Sequence, residues 1–261
     1  VTHQLSSAFA LPPAAPEGLE VRLAAAPAEI AAAQRLRYQV FFEEMGAKPS
    51  AAAFASGLDQ DVFDPVCDHL LAFAGGEVIG TYRLIRRAAA EQVGGFYSAS
   101  EYDLAPLLAH PGEILELGRS CVDARWRNRG ALTLLWQGLA AYIAEHRIAL
   151  LFGCASLPGT DLGLLAPHLA YLHHHHLAPS ALRASALPER KVELASLDAF
   201  GEPRRLLASL PPLLKGYLRA GAWIGDGAVV DEEFNTTDVL VTLDTVMLDN
   251  RYRRSFARPA E

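Results

Sequence analysis

Cysteine is scarce in this chain: three in 261 residues, with no CxxC pair. That excludes a disulfide framework and a zinc ribbon, and Cys67, Cys121 and Cys154 read as free thiols of a reducing, cytoplasmic compartment. Long apolar runs are missing as well. The longest, Ala131 to Ala144, is interrupted by Gln137 and falls short of the roughly 20 residues that a membrane helix needs. Residues 1–18 lack a basic stretch followed by an apolar one, so they read as a disordered leader and not as a signal peptide. There is no basic excess either: 23 Lys and Arg stand against 30 Asp and Glu, a formal net charge of −7. A nucleic-acid partner is therefore not expected, and any anionic partner must dock on a local patch. GxSxG, Walker and HExxH motifs are absent. What is there is an ordinary globular composition, 51% hydrophobic, long enough to bury a core without staples.

The pattern along the chain is mixed α/β. Leu19, Val21 and Leu23 alternate as a strand does. Pro27 to Met45 reads as a helix, with Pro near its start, Gly46 just past its end, and Ile30, Ala33, Arg37, Val40 and Phe41 on one face. Lys48 to Asp64 reads as a loop ending in the acidic run Asp59, Asp61, Asp64. DHLLAFA and EVIGTYRLI, joined by Gly75-Gly76, predict a hairpin over residues 68–85. A connection over 88–112 leads to a strand over Glu113–Val122 and a turn over Asp123–Asn128. From Gly130 an amphipathic helix buries Leu132, Leu135, Trp136, Leu139, Tyr142 and Ile143. Ile148 to Ala155 is apolar enough for a strand buried on both faces. A helix over Leu162–His174, a loop to Glu189, a short strand over Lys191–Leu194, a helix over Arg204–Ala220 broken at Pro211-Pro212, and a strand over Val239–Leu248 complete the reading.

The chemistry concentrates in ELGRSCVDARWRNRGAL, residues 116–132. A strand ends in a tight Arg- and Gly-rich turn and a helix begins at once. That geometry offers unpaired N–H groups and the positive end of a helix dipole to a phosphate or pyrophosphate. A charged loop capping a core helix would have the same spelling. In an ideal strand Glu116 and Arg119 point to opposite faces, because their spacing is odd. A bulge at Gly118 would bring them to one face and free a backbone N–H for the oxyanion of an attacked thioester. A simple Glu–Arg pair at a sheet edge is the other reading.

Arg127-Asn128-Arg129-Gly130-Ala131 after a strand resembles the (Q/R)xxGx(G/A) acyl-donor loop of the GNAT superfamily, with Leu132 at the position that is usually Gly or Ala. The wider pattern is RLRYQVFFEEMGA, DxxDPVCDHLLAF, IGTYRLI, ELGRSCVDARWRNRG and LPPLLKGYLRAGAWIGDGAVVDEEFNTTDVLV. Together these resemble the L-ornithine Nα-acyltransferases (ornithine lipid synthases) over residues 19–255. More distantly they are similar to acyl-homoserine-lactone synthases, through Arg37 and Phe41, Asp61 and Asp64, Arg83, and Glu116 with Arg119.

The resemblance implies a GNAT-like mixed, twisted central sheet flanked by helices. A core over 19–175 would carry a C-terminal extension over 176–261 packed on it. It also implies transfer of a 3-hydroxyacyl chain from acyl carrier protein to the α-amino group of ornithine, giving lyso-ornithine lipid. The carrier's phosphopantetheine arm is then the donor, with no resident cofactor and no metal. Arg127, Asn128, Arg129, Gly130 and Ala131 fall on the phosphopantetheine loop, between diverging strands at the start of the Gly130 helix. Glu116 and Arg119 fall on the catalytic acidic/basic pair, with Glu116 as the base that deprotonates the acceptor. Asp61, Asp64 and Asp68 are expected to hold the acceptor's ammonium groups, Arg119 or Arg37 its carboxylate, and Arg83 belongs to the same substrate-binding set. Tyr171 is the candidate acid for the leaving thiolate.

An acidic carrier calls for a basic docking face, expected from Arg125, Arg127, Arg129 and Arg147. A hydrophobic product implies peripheral contact with the inner membrane, for which the amphipathic stretch after Pro211-Pro212 is a candidate, core packing being the plainer role. His173 and His176, one helical turn apart, lack the third partner that a metal site needs. Two rivals remain. One is a GNAT enzyme acting on another amino acid or amine, the other a non-catalytic module that binds acyl carrier protein.

Overall fold

The structure, a computed structural model, describes residues 18–127, 130–194 and 201–246. All but the last residue of the expected leader, with Asn128 and Arg129, lies outside them. Strand β1 (Leu19–Leu23) leads into α1 (Pro27–Tyr38), which Pro27 opens and which continues through a wider, π-type turn over Gln39–Glu44. Together these cover the helix predicted to Met45. The stretch read as loop holds a short helix, α2 (Ala51–Ser56), whose N-terminus Ser50 caps through the N–H of Ala53. Strands β2 (Asp68–Ala74) and β3 (Glu77–Arg86) form the predicted hairpin. Gly75 and Gly76 both have positive φ, as a two-residue hairpin turn requires.

The 87–112 connection is more structured than its sequence suggests. It contains α3 (Arg87–Glu91), a 3₁₀ turn over Tyr97–Ser100, the two-residue β4 (Tyr102–Asp103) and α4 (Ala105–Leu108). Strand β5 (Glu113–Val122) has the predicted bounds. It is followed by α5 (Ala131–His146), β6 (Ile148–Pro158) and α6 (Leu162–His176). Then come β7 (Ser185–Ala186), β8 (Lys191–Val192), α7 (Pro203–Ser209) and α8 (Pro212–Arg219), the last two separated by the predicted proline break. Finally, β9 (Trp223–Ile224) and β10 (Ala228–Asp231) precede β11 (Thr236–Asp244). This last strand begins three residues earlier than its apolar run, because its pairing partner β6 extends to Pro158, opposite Thr236.

These strands build one mixed sheet in the order β1-β2-β3-β5-β6-β11-β10-β8, with β9 alongside β11. Neighbours are antiparallel except β5 and β6, which run parallel. The described part of the C-terminal third therefore adds strands to the same sheet. One face is covered by α5, α6 and α8 over a core that includes Leu70, Leu115, Leu135, Leu151 and Leu172. The opposite face packs Ile85, Phe96, Ile114, Leu150 and Phe152 under the 90–107 segment and residues 182–186. Helix α8 turns its apolar side inward: Leu214, Tyr217 and Leu218 are buried, and the Trp136 ring of α5 lies 5.2 Å from that of Tyr217. Its apolar side packs into the core. Among the described residues no helix is long and apolar enough to cross a membrane.

Candidate active site

The parallel pair β5–β6 does not stay together. Its pairing runs from Glu113 opposite Ile148 to Glu116 opposite Phe152 and then stops. Gly153 sits at the vertex, where a Cβ would lie 2.1 Å from the carbonyl oxygen of Leu117, so only glycine fits. Beyond the vertex, residues 117–122 and 153–156 line a cavity of about 350 Å³. Tyr82, Arg83, Tyr97, Ser98, Tyr217, Asp231, Phe234 and Asp238 complete its polar and aromatic wall; Leu117, Leu151, Leu213, Val241 and Leu243 give it an apolar side.

A bulge shapes the β5 wall. Thr81 pairs with Cys121 but Arg83 pairs with Gly118, so Arg119 and Ser120 together oppose the single residue Tyr82. The irregularity lies one residue past Gly118, and Arg119 takes a positive φ of 48° to make it. As a result Glu116 and Arg119 share a face and meet at Tyr97. Glu116 accepts hydrogen bonds from the Tyr97 N–H (2.8 Å), the Ser98 N–H (2.7 Å) and the Ser98 hydroxyl. The Arg119 guanidinium lies 4.8 Å from the centre of the Tyr97 ring and 4.7 Å from that of Phe234. Burial pushes the Glu116 carboxyl above its ordinary value, against the pull of the Ser98 and Tyr97 donors.

Three arginines and three aspartates interlock beside this pair. Arg37 is fully buried; its Nε donates to Asp59 at 2.7 Å and its Nη2 to both oxygens of Asp64 at 2.9 Å. Arg83 Nη1 donates to Asp61 at 2.6 Å. Arg119 reaches Asp59 at 3.2 Å and Asp61 at 3.5 Å. The charges balance within the set. Asp61 and Asp64 thus hold arginines in place of an acceptor's ammonium groups, and Arg37 has no exposed face for a carboxylate. Asp68 lies elsewhere, accepting the Tyr142 hydroxyl at 2.5 Å near Arg86. Of the sequence candidates, Glu116, Arg119, Arg83 and Arg127 line the cavity, and Arg37, Asp61, Asp64, Asp68 and Tyr171 do not. Tyr171 is buried on α6 with its hydroxyl 3.3 Å from His176. The tyrosines that do line the cavity are Tyr82, Tyr97 and Tyr217, with the Tyr82 and Tyr217 hydroxyls 3.0 Å apart.

The β5–α5 turn borders the same space through Val122 and Arg127. Gly130 takes φ +86° and Ala131 opens α5, leaving the first-turn N–H groups without intrahelical partners. Two members of the basic face expected here are already paired. Arg125 pairs with Asp123 and Glu77, each at 2.7 Å, and Arg127 pairs with Glu44. Arg147 caps the other end of α5, about 24 Å away at 1.5 Å per residue, and so cannot belong to this patch.

Several residues at the site were not singled out from the sequence. Tyr97 and Ser98, which hold Glu116, come from the connection over 88–112. Cys154 lies 3.4 Å from the Ser98 hydroxyl and 3.2 Å from Glu101. Phe234, Asp231 and Asp238 arrive from about 115 residues downstream of Glu116, and no local spacing marks them.

A sheet whose central parallel strands part over a cavity, with a bulged strand on one side and a helix N-terminus at the mouth, is that of a GNAT-type acyltransferase. Residues 36–137 match the acetyltransferase (GNAT) domain family. An L-ornithine Nα-acyltransferase of Rhodobacter capsulatus is 43% identical over 255 residues, covering 95% of this chain and 98% of that one. A protein of the same name from Agrobacterium fabrum is 46% identical over 254 residues, covering 93% and 86%. The chain is also similar to the solved structure of a coenzyme-A-dependent acyl-homoserine lactone synthase, at 16% identity, 90% and 84% coverage and a TM-score of 0.48. The chain belongs to the L-ornithine Nα-acyltransferase family, and it is an acyltransferase.

Proposed function

We propose that this enzyme transfers a 3-hydroxyacyl chain from acyl carrier protein to the α-amino group of ornithine, forming lyso-ornithine lipid. The observation that carries the reaction class is the parting of β5 and β6 over a cavity with Glu116 buried at its vertex. The relatives' shared name supplies the acceptor. In this reading the carrier's phosphopantetheine arm enters past Arg127 and the start of α5, where the loop of Arg127 to Ala131 cradles it. The acyl chain lies against Leu117, Leu151, Leu213, Val241 and Leu243. Glu116, directly or through water, takes a proton from the α-ammonium, and the freed nitrogen attacks the thioester carbonyl. Backbone N–H groups that the bulge releases from the ladder hold the oxyanion. Collapse of that intermediate breaks the C–S bond and expels the thiolate, which takes up the proton that the attacking nitrogen gives up. Arg119, kept in place by Asp59, Asp61 and two rings, binds the acceptor's carboxylate.

The test is thiol release from 3-hydroxypalmitoyl acyl carrier protein with a panel of amino acids, with products weighed by mass spectrometry. Ornithine-dependent release with an amide product is the expected outcome. Release with a different amino acid reassigns the acceptor. Carrier binding with no release for any acceptor would leave only the non-catalytic module.

A further inference from the structure

Three carboxyl groups from separate parts of the chain meet beside the cavity. Glu101 precedes β4, Asp231 ends β10 and Asp238 lies in β11; each offers an oxygen within 4.8 Å of the others. Asp231 and Asp238 line the cavity, and Glu101 and Asp238 are 3% and 7% exposed. Against three acids the structure sets one ion pair, Arg190 to Glu101 at 3.4 Å, among the described residues. Oδ1 of Asp238 is buried and has no hydrogen-bond partner. A carboxylate left unpaired away from water is costly, and two more acids beside it raise that cost. The Thr236 and Ser156 hydroxyls nearby offset part of that cost, and a compact cation would relieve the rest.

The neighbourhood indicates which cation. Asp231 is fixed by its turn, Oδ1 accepting the N–H of Glu233 (2.8 Å) and of Phe234 (2.9 Å). The same turn lays Phe234 over Arg119. Glu101 is joined to Glu116 through the Cys154 thiol and the Ser98 hydroxyl. A group deprotonated at Glu116 and a cation held by the three acids therefore sit at the two ends of one short polar path. That is the arrangement a diamino acid needs, with one nitrogen at the base and the other kept charged.

We infer that Glu101, Asp231 and Asp238 form the subsite for the acceptor's side-chain ammonium, and that this subsite selects a diamino acid over a neutral one of the same length. The inference rests on the proposed ornithine N-acylation. It adds a reason for the choice of nitrogen. Three carboxylates stabilise the protonated form of the side-chain amine, which then has no lone pair to attack the thioester, while the α-amine at Glu116 can lose its proton. Asp61, Asp64 and Asp68, the acids expected to do this from sequence, are taken up by arginines or by Tyr142.

The experiment compares ornithine with norvaline, the same carbon chain without the terminal ammonium, at saturating 3-hydroxyacyl carrier protein. In the wild type kcat/KM should favour ornithine by at least about 100-fold. In Asp238→Asn, and separately in the more exposed Asp231→Asn, that ratio should fall at least tenfold, chiefly through a higher KM for ornithine. Far-UV circular dichroism and a cooperative thermal melt report that each variant is folded. A preference that survives within twofold in both variants overturns the subsite alone. A wild type that does not acylate ornithine overturns the proposed function and this subsite with it. Calorimetric titration with Mg²⁺ and Ca²⁺ supplies the remaining arm. Cation binding that is lost in Asp238→Asn, with ornithine KM unmoved, would assign the acids to a metal and overturn the inference.

Discussion

If Asp238 is held ready for a cationic ligand, removing its charge should make the ligand-free protein more stable. Burial, and then the neighbouring Glu101, push its carboxyl from an ordinary 3.8 up to about 6. A carboxyl with a raised folded-state pKa binds its proton more tightly folded than unfolded. Its ionised form therefore destabilises the fold above pH 6, and the penalty is relieved as pH falls from 6 towards 3.8. At 1.36 kcal/mol per pH unit the full penalty is about 3 kcal/mol, shared in part with Glu101. The amide introduced by Asp238→Asn is neutral at every pH. The expected outcome for that variant is a gain of about 1–3 kcal/mol at pH 8, or roughly 3–10 °C in Tm for a chain of this size, shrinking to near zero at pH 4. Thermal melts and urea titrations without substrate, at both pH values, measure it. Saturating ornithine should then raise the wild-type Tm more than the variant's. A variant that is less stable than wild type at pH 8, or whose gain is the same at both pH values, refutes the reasoning, because Asp238 would then be satisfied by the fold itself.

Other substitutions probe the rest of the site. Gly153→Ala pushes a methyl into the Leu117 carbonyl, a backbone atom that cannot swing aside, so urea denaturation should show a loss of about 2 kcal/mol or more. Arg37→Met removes the closest partner of the buried acids Asp59 and Asp64, leaving them Arg119 at 3.2 Å and Arg83 at 3.7 Å, and should destabilise by about 3 kcal/mol in the same assay. Glu116→Gln should lower kcat at least about 100-fold at neutral pH and recover in part at high pH, where the acceptor's α-amine is already unprotonated. In the wild type, kcat/KM should fall on the acid side with an apparent pKa above 4.5, since burial raises that carboxyl. Wild-type kcat in the variant at both neutral and high pH would show that Glu116 is not the base.

Much of the framework was legible in the residues. Alternation and Gly75-Gly76 marked the β2–β3 hairpin, and the apolar period marked α5. The odd spacing of Glu116 and Arg119 required a bulge if they were to share a face, and the bulge is there, displaced to Arg119–Ser120. Other parts were hidden for identifiable reasons. Asp61, Asp64 and Arg37 look alike as ion-pair partners and as ligands until their distances are known. Tyr171 has a tyrosine's chemistry, but α6 carries it away from the cavity. The Ser50 cap of α2 and the Tyr97–Ser98 turn that holds Glu116 are short elements without a repeating pattern.

Local order followed from the sequence because it depends on neighbours a few residues apart: strand alternation, helix period, glycines at positive φ, prolines at helix starts. Likeness to one acyltransferase family over residues 19–255 was readable for the same reason, as a run of short motifs in order. The active site was not local in that sense. Tertiary structure alone decided which acids face arginines and which face the cavity, because Glu101, Asp231 and Asp238 meet only when β11 pairs with β6 and the β10–β11 turn closes over Arg119. Charge pairing depends on distance and burial, and the fold sets both.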